Sequence, residues 1–121
     1  MTSRVGSIKR SQKESLYYRI ISSLLLGLIR ENVELSPLFV SHVELSANKG
    51  ACFVFFGAPD EKFFNKHLKT LTLYKPSIRK ALGSEIQTRY VPELFFKYDK
   101  KLEKQREVEE LLNKLKIDGE V

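Results

Sequence analysis

Lys75, Arg79 and Lys80 gather around Pro76, and side chains of this type beside a broken helix suit one kind of chemistry above others, the neutralisation of phosphate. Helix amides left free after the proline add partial positive charge at the same place. Arg89 and Lys97 can extend that patch along a following strand, with Lys100, Lys101, Lys104 and Arg106 beyond, while Lys9, Arg10 and Lys13 place further cations near the start of the chain. A solvated lysine-rich face is the plain alternative for any of these residues. The rest of the charge sharpens the choice. Residues 62 to 106 carry twelve basic side chains against four acidic ones, residues 31 to 61 carry five acidic against one basic, and the whole chain is at +6. Concentrated positive field of this kind fits a polyanion such as RNA or DNA.

Covalent catalysis finds no comparable grouping. Cys52 is the single cysteine and sits in the most apolar run of the chain, Ala51 to Phe56, where a thiol behaves as a small hydrophobe. One cysteine cannot make an internal disulfide or a four-ligand zinc site. His42 and His67 lie on separate segments without a second His or Cys nearby. The six glycines form neither GxGxxG nor GxxxxGK, so nucleotide hydrolysis is not expected. No cofactor, metal or small-molecule substrate is called for, and the expected activity is non-enzymatic.

These side chains must be positioned by a modest amount of structure. At 121 residues, 42% hydrophobic and 30% charged, the chain is expected to form one core, with no segment long and apolar enough to span a bilayer. The absence of an apolar leader and the single cysteine point to a cytoplasmic protein. Ser11-Gln12-Lys13-Glu14 has the form of a capping box, so a helix should begin at Ser11, with residues 1–10 as a flexible basic arm. Tyr17, Ile20, Ile21, Leu24, Leu25 and Leu28 supply its buried stripe.

Phe39 to Ser46 alternates as a half-exposed strand, with Phe39, Ser41, Val43 and Leu45 on one side. A turn at Ala47-Asn48-Lys49-Gly50 leads into an inner strand over Ala51 to Phe56. Asp60 can cap a helix whose Phe64, Leu68 and Leu71 face inward, Pro76 should break it, and a second helix restarts at Ser77. Gly83 inside that helix suggests that another backbone passes close by, with a plain cap or a helix break there as the equal alternative. Thr88 to Tyr98 favours a strand with a bulge or edge at Pro92, and Asp99 can cap a last helix carrying Val108, Leu111, Leu112 and Leu115. Most of the phenylalanines, Phe53, Phe55, Phe64 and Phe96 among them, read as core rather than as base-stacking rings.

The stretch from Ser77 to Asp99, with Ile78-Arg79 and Leu82-Gly83 on a helix and Val91-Pro92-Glu93-Leu94 running on to Tyr98-Asp99, resembles the signature of the ribosome-binding factor A family. The likeness extends from about Ser11 to Leu115, through Val43-Glu44-Leu45-Ser46 and Val108-Glu109-Glu110-Leu111-Leu112. It implies an α+β fold of type II KH-like α-β-β-α-kink-α-β order. The sheet would be mixed and three-stranded, with its middle strand antiparallel to the first and parallel to the last, and a C-terminal helix would follow. The implied domain limits are 11–99 for the RNA-binding unit and 100–121 for the helix and tail.

The resemblance also implies a role: binding to 16S rRNA in the free small (30S) ribosomal subunit, help in its late maturation, and a monomer when free. The family's Ala-x-Gly helix kink is replaced here by Tyr74-Lys75-Pro76, which keeps a break but not the close backbone approach that glycine permits. The rival reading is a protein-protein interaction module that uses an exposed face of the sheet.

Overall fold

A computed structural model of the protein describes residues 2–87 and 90–119. The chain runs through α1 (Thr2–Glu31), a 3-10 turn at Val33–Leu35, β1 (Phe39–Leu45), β2 (Ala51–Gly57), α2 (Glu61–Leu73), α3 (Lys75–Ile86), β3 (Glu93–Tyr98) and α4 (Lys100–Gly119). The sheet order is β1-β2-β3; β2 is antiparallel to β1 and parallel to β3, as the family resemblance implies.

Alternation along the strands divides the sheet into two faces. One carries the rows Leu45–Cys52–Leu94, Val43–Val54–Phe96 and Val40–Phe56–Tyr98, all buried. Helices α1, α2 and α3 cover that face, adding Tyr17, Ile21, Leu25, Phe64, Leu71, Ile78 and Leu82 to one core. Each such side chain withdrawn from water contributes about 1.5–3 kcal/mol before entropy is charged against it. The opposite face bears Glu44–Phe53–Phe95 and His42–Phe55–Lys97 in register.

Several sequence expectations need correction. The first helix does not start at Ser11: the backbone is helical from Thr2, so residues up to Arg10 prolong α1 rather than forming a loose arm. Freed from capping, Glu14 turns inward, and its Oε2 accepts a 2.7 Å hydrogen bond from the amide of Leu45 on the edge of β1. That amide faces away from β2 and would otherwise be an unpaired group at a sheet edge. Glu14→Ala is expected to lower unfolding free energy by about 1.5–3 kcal/mol, the range for a hydrogen bond to a charged group, in a urea titration. Glu14→Gln, which keeps an acceptor, should lose less.

In β1 the pairing register shifts between Val40 and His42, leaving Ser41 as the extra residue of a bulge. The bulge puts Val40 in phase with Val43 and Leu45 and leaves Phe39 exposed, where simple alternation places Phe39 with the core side chains. The exposed Phe39 ring then lies over Gly57: a Cβ on Gly57 would sit 2.1 Å from its Cζ.

Helix α3 begins at Lys75 rather than Ser77, with Pro76 in its first turn, where a missing amide costs no helical hydrogen bond. Strand β3 begins at Glu93 rather than Thr88, because Pro92 cannot join the ladder and the first pairing is the Glu93 amide to the Gly50 carbonyl. The close neighbour of Gly83 is a side chain, not a backbone: an added Cβ would meet Val91 Cγ2 at 2.8 Å. Phe53 and Phe55 belong to the open face of the sheet, whereas Phe64 and Phe96 are core. An apolar run in a middle strand looks buried on both sides, but here the helices occupy one side only.

Candidate nucleic-acid interface

The α2–α3 break is made by Tyr74, which ends one helix and precedes the next at φ −87°, ψ −6°. Its amide donates to Leu71 O at 3.0 Å, and its carbonyl accepts from Ile78 N at 2.9 Å. Tyr74 gives α3 no side-chain cap, so the first-turn amides of Lys75 and Ser77 keep their partial charge. Pro76, exposed in that turn, has no amide to add.

From this corner Lys75 reaches the edge of the sheet, its Nζ 5.7 Å from the Phe95 ring centre and 5.3 Å from that of Phe96. Lys97 lies across the neighbouring strand with Nζ 4.9 Å from the Phe53 ring centre. Where β2 and β3 end, Lys97, Lys100 and Lys101 border a groove of about 480 Å³ that His42, Glu44, Phe55 and Asn65 also line. Lys100 is paired loosely with Glu61 at 3.6 Å and is exposed; such a contact is weak in water and readily exchanged for a phosphate.

Other expected site residues fall elsewhere. Arg79 is committed to the chain itself: its Nη2 donates to Val91 O at 2.9 Å and its Nε to Pro92 O at 3.2 Å, fastening α3 to the approach of β3. Lys80 is exposed on α3. Lys9, Arg10 and Lys13 are on α1, which packs against β1, the edge strand opposite β3, so they do not join the Lys75–Lys97 group. Arg89 lies outside the described residues.

Sequence reasoning missed a polar cluster under the groove. Asp99, 5% exposed, accepts hydrogen bonds from Ser41 Oγ and from the Leu102 amide at 2.9 Å, and its Oδ2 is 3.2 Å from His42 Nδ1. The bulge in β1 makes this possible, since it lets consecutive residues Ser41 and His42 both approach one carboxylate. Burial pushes the Asp99 carboxyl upward, but the bonds from Ser41 and Leu102 and the nearby imidazole more than offset this, leaving it below the ordinary carboxylate value.

Although Ser, His and Asp stand together, the Ser41 hydroxyl donates to Asp99, and His42 lies between two carboxylates with Nε2 3.2 Å from Glu44. A hydroxyl held by a carboxylate is a strut for the α4 N-terminus, not an activated nucleophile. Cys52 is fully buried, and its thiol is pushed up to about 12, first by burial and then by Glu14. Among the described residues no group of His, Cys, Asp and Glu could hold a metal ion, and no helix is long and apolar enough to cross a membrane.

Comparison with known proteins bears on the same elements. The sequence model of the family described as "Ribosome-binding factor A" matches residues 9–112, which include most of α1, the sheet, the helix break and the first part of α4. The chain belongs to the ribosome-binding factor A family. Among curated members, that of Prochlorococcus marinus subsp. pastoris is 32% identical over 114 residues, covering 93% of this chain and 83% of its own. The member from Dictyoglomus thermophilum is 27% identical over 115 residues, covering 93% and 94%. The crystal structure of ribosome-binding factor A from Thermus thermophilus superposes with a TM-score of 0.63 at 24% identity, over 72% of this chain and 92% of that one. A solution structure from Thermotoga maritima gives 0.65 at 19% identity, over 73% and 84%. These structures share the fold.

Proposed function

We propose that this protein binds 16S rRNA in the free small ribosomal subunit and assists its late maturation without covalent chemistry. The family match across residues 9–112 carries the reading, since curated relatives of nearly the same length bear the name ribosome-binding factor A. The geometry supports a backbone-directed mode. Lys75, Lys97, Lys100 and Lys101 bound one edge and end of the sheet, and the uncapped start of α3 adds amide dipoles beside Lys75.

Ammonium groups spread in this way meet phosphates by spacing rather than by sequence, so the shape of the folded rRNA selects the site. The role of residues 11–99 is RNA attachment. Lys9, Arg10 and Lys13 on α1 supply a second, separate contact, and the exposed Lys80 on α3 adds a further cation. The protein acts in the cytoplasm and is a monomer when free.

Sucrose-gradient fractionation of cell extract tests this directly. The protein is expected to sediment with free small subunits, and cells lacking it should accumulate precursor 16S rRNA. A protein that remains at the top of the gradient at low salt, with 16S rRNA processed normally in its absence, would refute the proposal.

A further inference from the structure

The open face of the sheet is built from paired rings. Phe53 and Phe95 are in register on adjacent strands and stack with centres 5.4 Å apart at 26°. One row along, His42 and Phe55 stack at 4.3 Å and 6°. None of the helices α1, α2 and α3 covers these rings, and Phe95 is 37% exposed.

The charge beside them has a definite arrangement. The Lys97 ammonium is over Phe53 and the Lys75 ammonium is near Phe95, both on the β3 side. The acidic side chains on the face are Glu44, which is engaged by His42 Nε2, and Glu93, at the start of β3. Rings bordered by mobile cations match the two parts of an unpaired nucleotide, a base with a π face and a phosphate. In a duplex the base faces are already stacked on one another, so none is free to stack on a protein ring. An apolar protein surface would have to strip water from both ammonium groups and offer no anion in return.

We infer that the open face is a docking platform for single-stranded RNA, with an unpaired base stacking on Phe95 and Phe53 while Lys75 and Lys97 take the flanking phosphates. The inference rests on the rRNA-binding reading above and adds to it the form of RNA and the side chains that hold its bases. The lysine stems are flexible, so both ammonium groups can slide to the ring edges as a base arrives.

The test uses the full chain and a single-stranded RNA of about ten nucleotides carrying 2-aminopurine, with a duplex of equal length beside it. The unmodified protein should quench the fluorophore and prefer the single strand. Phe53→Leu and Phe95→Leu keep an apolar side chain in each row, and each should weaken single-strand binding roughly five- to hundredfold while leaving duplex binding unchanged. Phe53→Tyr and Phe95→Tyr retain a ring and should keep the affinity.

Leucine variants with unchanged circular-dichroism melts and undiminished single-strand binding would overturn the inference. So would leucine variants that lose small subunits but still bind the oligonucleotide, since the face would then be meeting a ribosomal protein. If Lys75→Gln and Lys97→Gln together leave single-strand binding intact, the stacking platform fails while the rRNA-binding reading stands; that reading fails only if the unmodified protein binds neither small subunits nor rRNA.

Discussion

Asp99→Ala is expected to lower unfolding free energy by about 2–4 kcal/mol, a large share of the roughly 5–15 kcal/mol that a domain of this size possesses. The alanine removes the side-chain cap of α4, worth about 1–2 kcal/mol, and leaves the Ser41 hydroxyl without its acceptor. Because both bonds use one carboxylate, their losses overlap rather than add in full. The melting midpoint should fall by about 10–20 °C, given several degrees per kcal/mol. Asp99→Asn keeps a capping oxygen but not the charge and should fall between alanine and wild type.

Acid titration provides a separate check on the same group. Its folded pKa lies below the unfolded value of about 3.9, so the stabilisation is fully present above about pH 4 and disappears as the pH falls through the folded value. Wild type should therefore lose stability in that acidic window, and Asp99→Asn should show a shallower slope there. Equal slopes for the two proteins would mean that the carboxylate is not stabilised by the Ser41–Leu102 contacts.

The second large effect concerns salt. Replacing Lys97, Lys100 and Lys101 together by glutamine is expected to weaken small-subunit binding roughly a hundredfold near physiological ionic strength, because three phosphate contacts and their released counterions are lost. A plot of log affinity against log salt should flatten by up to about three units. Stability should change little, since all three side chains are exposed and Lys100 has only its weak Glu61 contact. The matching pair Lys9→Gln and Lys13→Gln, on the other side of the domain, should flatten the slope by no more than about two. An unaltered slope for the triple variant would place the phosphate contacts elsewhere.

Much of this architecture was legible because it depends on short-range patterns. Asp60 caps α2 as its position suggests, with Phe63 N donating to Oδ1 at 2.7 Å, and Pro76 marks the helix break to within two residues. The stripe Tyr17, Ile21 and Leu25 is buried at helical spacing. What escaped the sequence required partners distant along the chain. A bulge at Ser41 leaves no mark of its own, yet it decides which side chains of β1 face the core and brings Ser41 to Asp99.

Glu14 reads as half of a capping box until Leu45 is seen beside it. Arg79 reads as a phosphate ligand, and only the folded loop shows two of its five donors engaged by the carbonyls of Val91 and Pro92. Phe53 and Phe55 could not be assigned to an open face from their own run, because nothing in Ala51 to Phe56 records where the helices lie.

The placement of Cys52 has a practical consequence. With its sulfur sealed between α1 and the sheet and its proton tightly held, an alkylating reagent can reach it only during events that lift α1 off the strands. As the only thiol in the chain, it serves as a native clock for whole-domain opening. Fraying of α4 beyond Arg106, whose Nη2 ties that helix to Ala58 O at 2.9 Å, leaves the clock untouched.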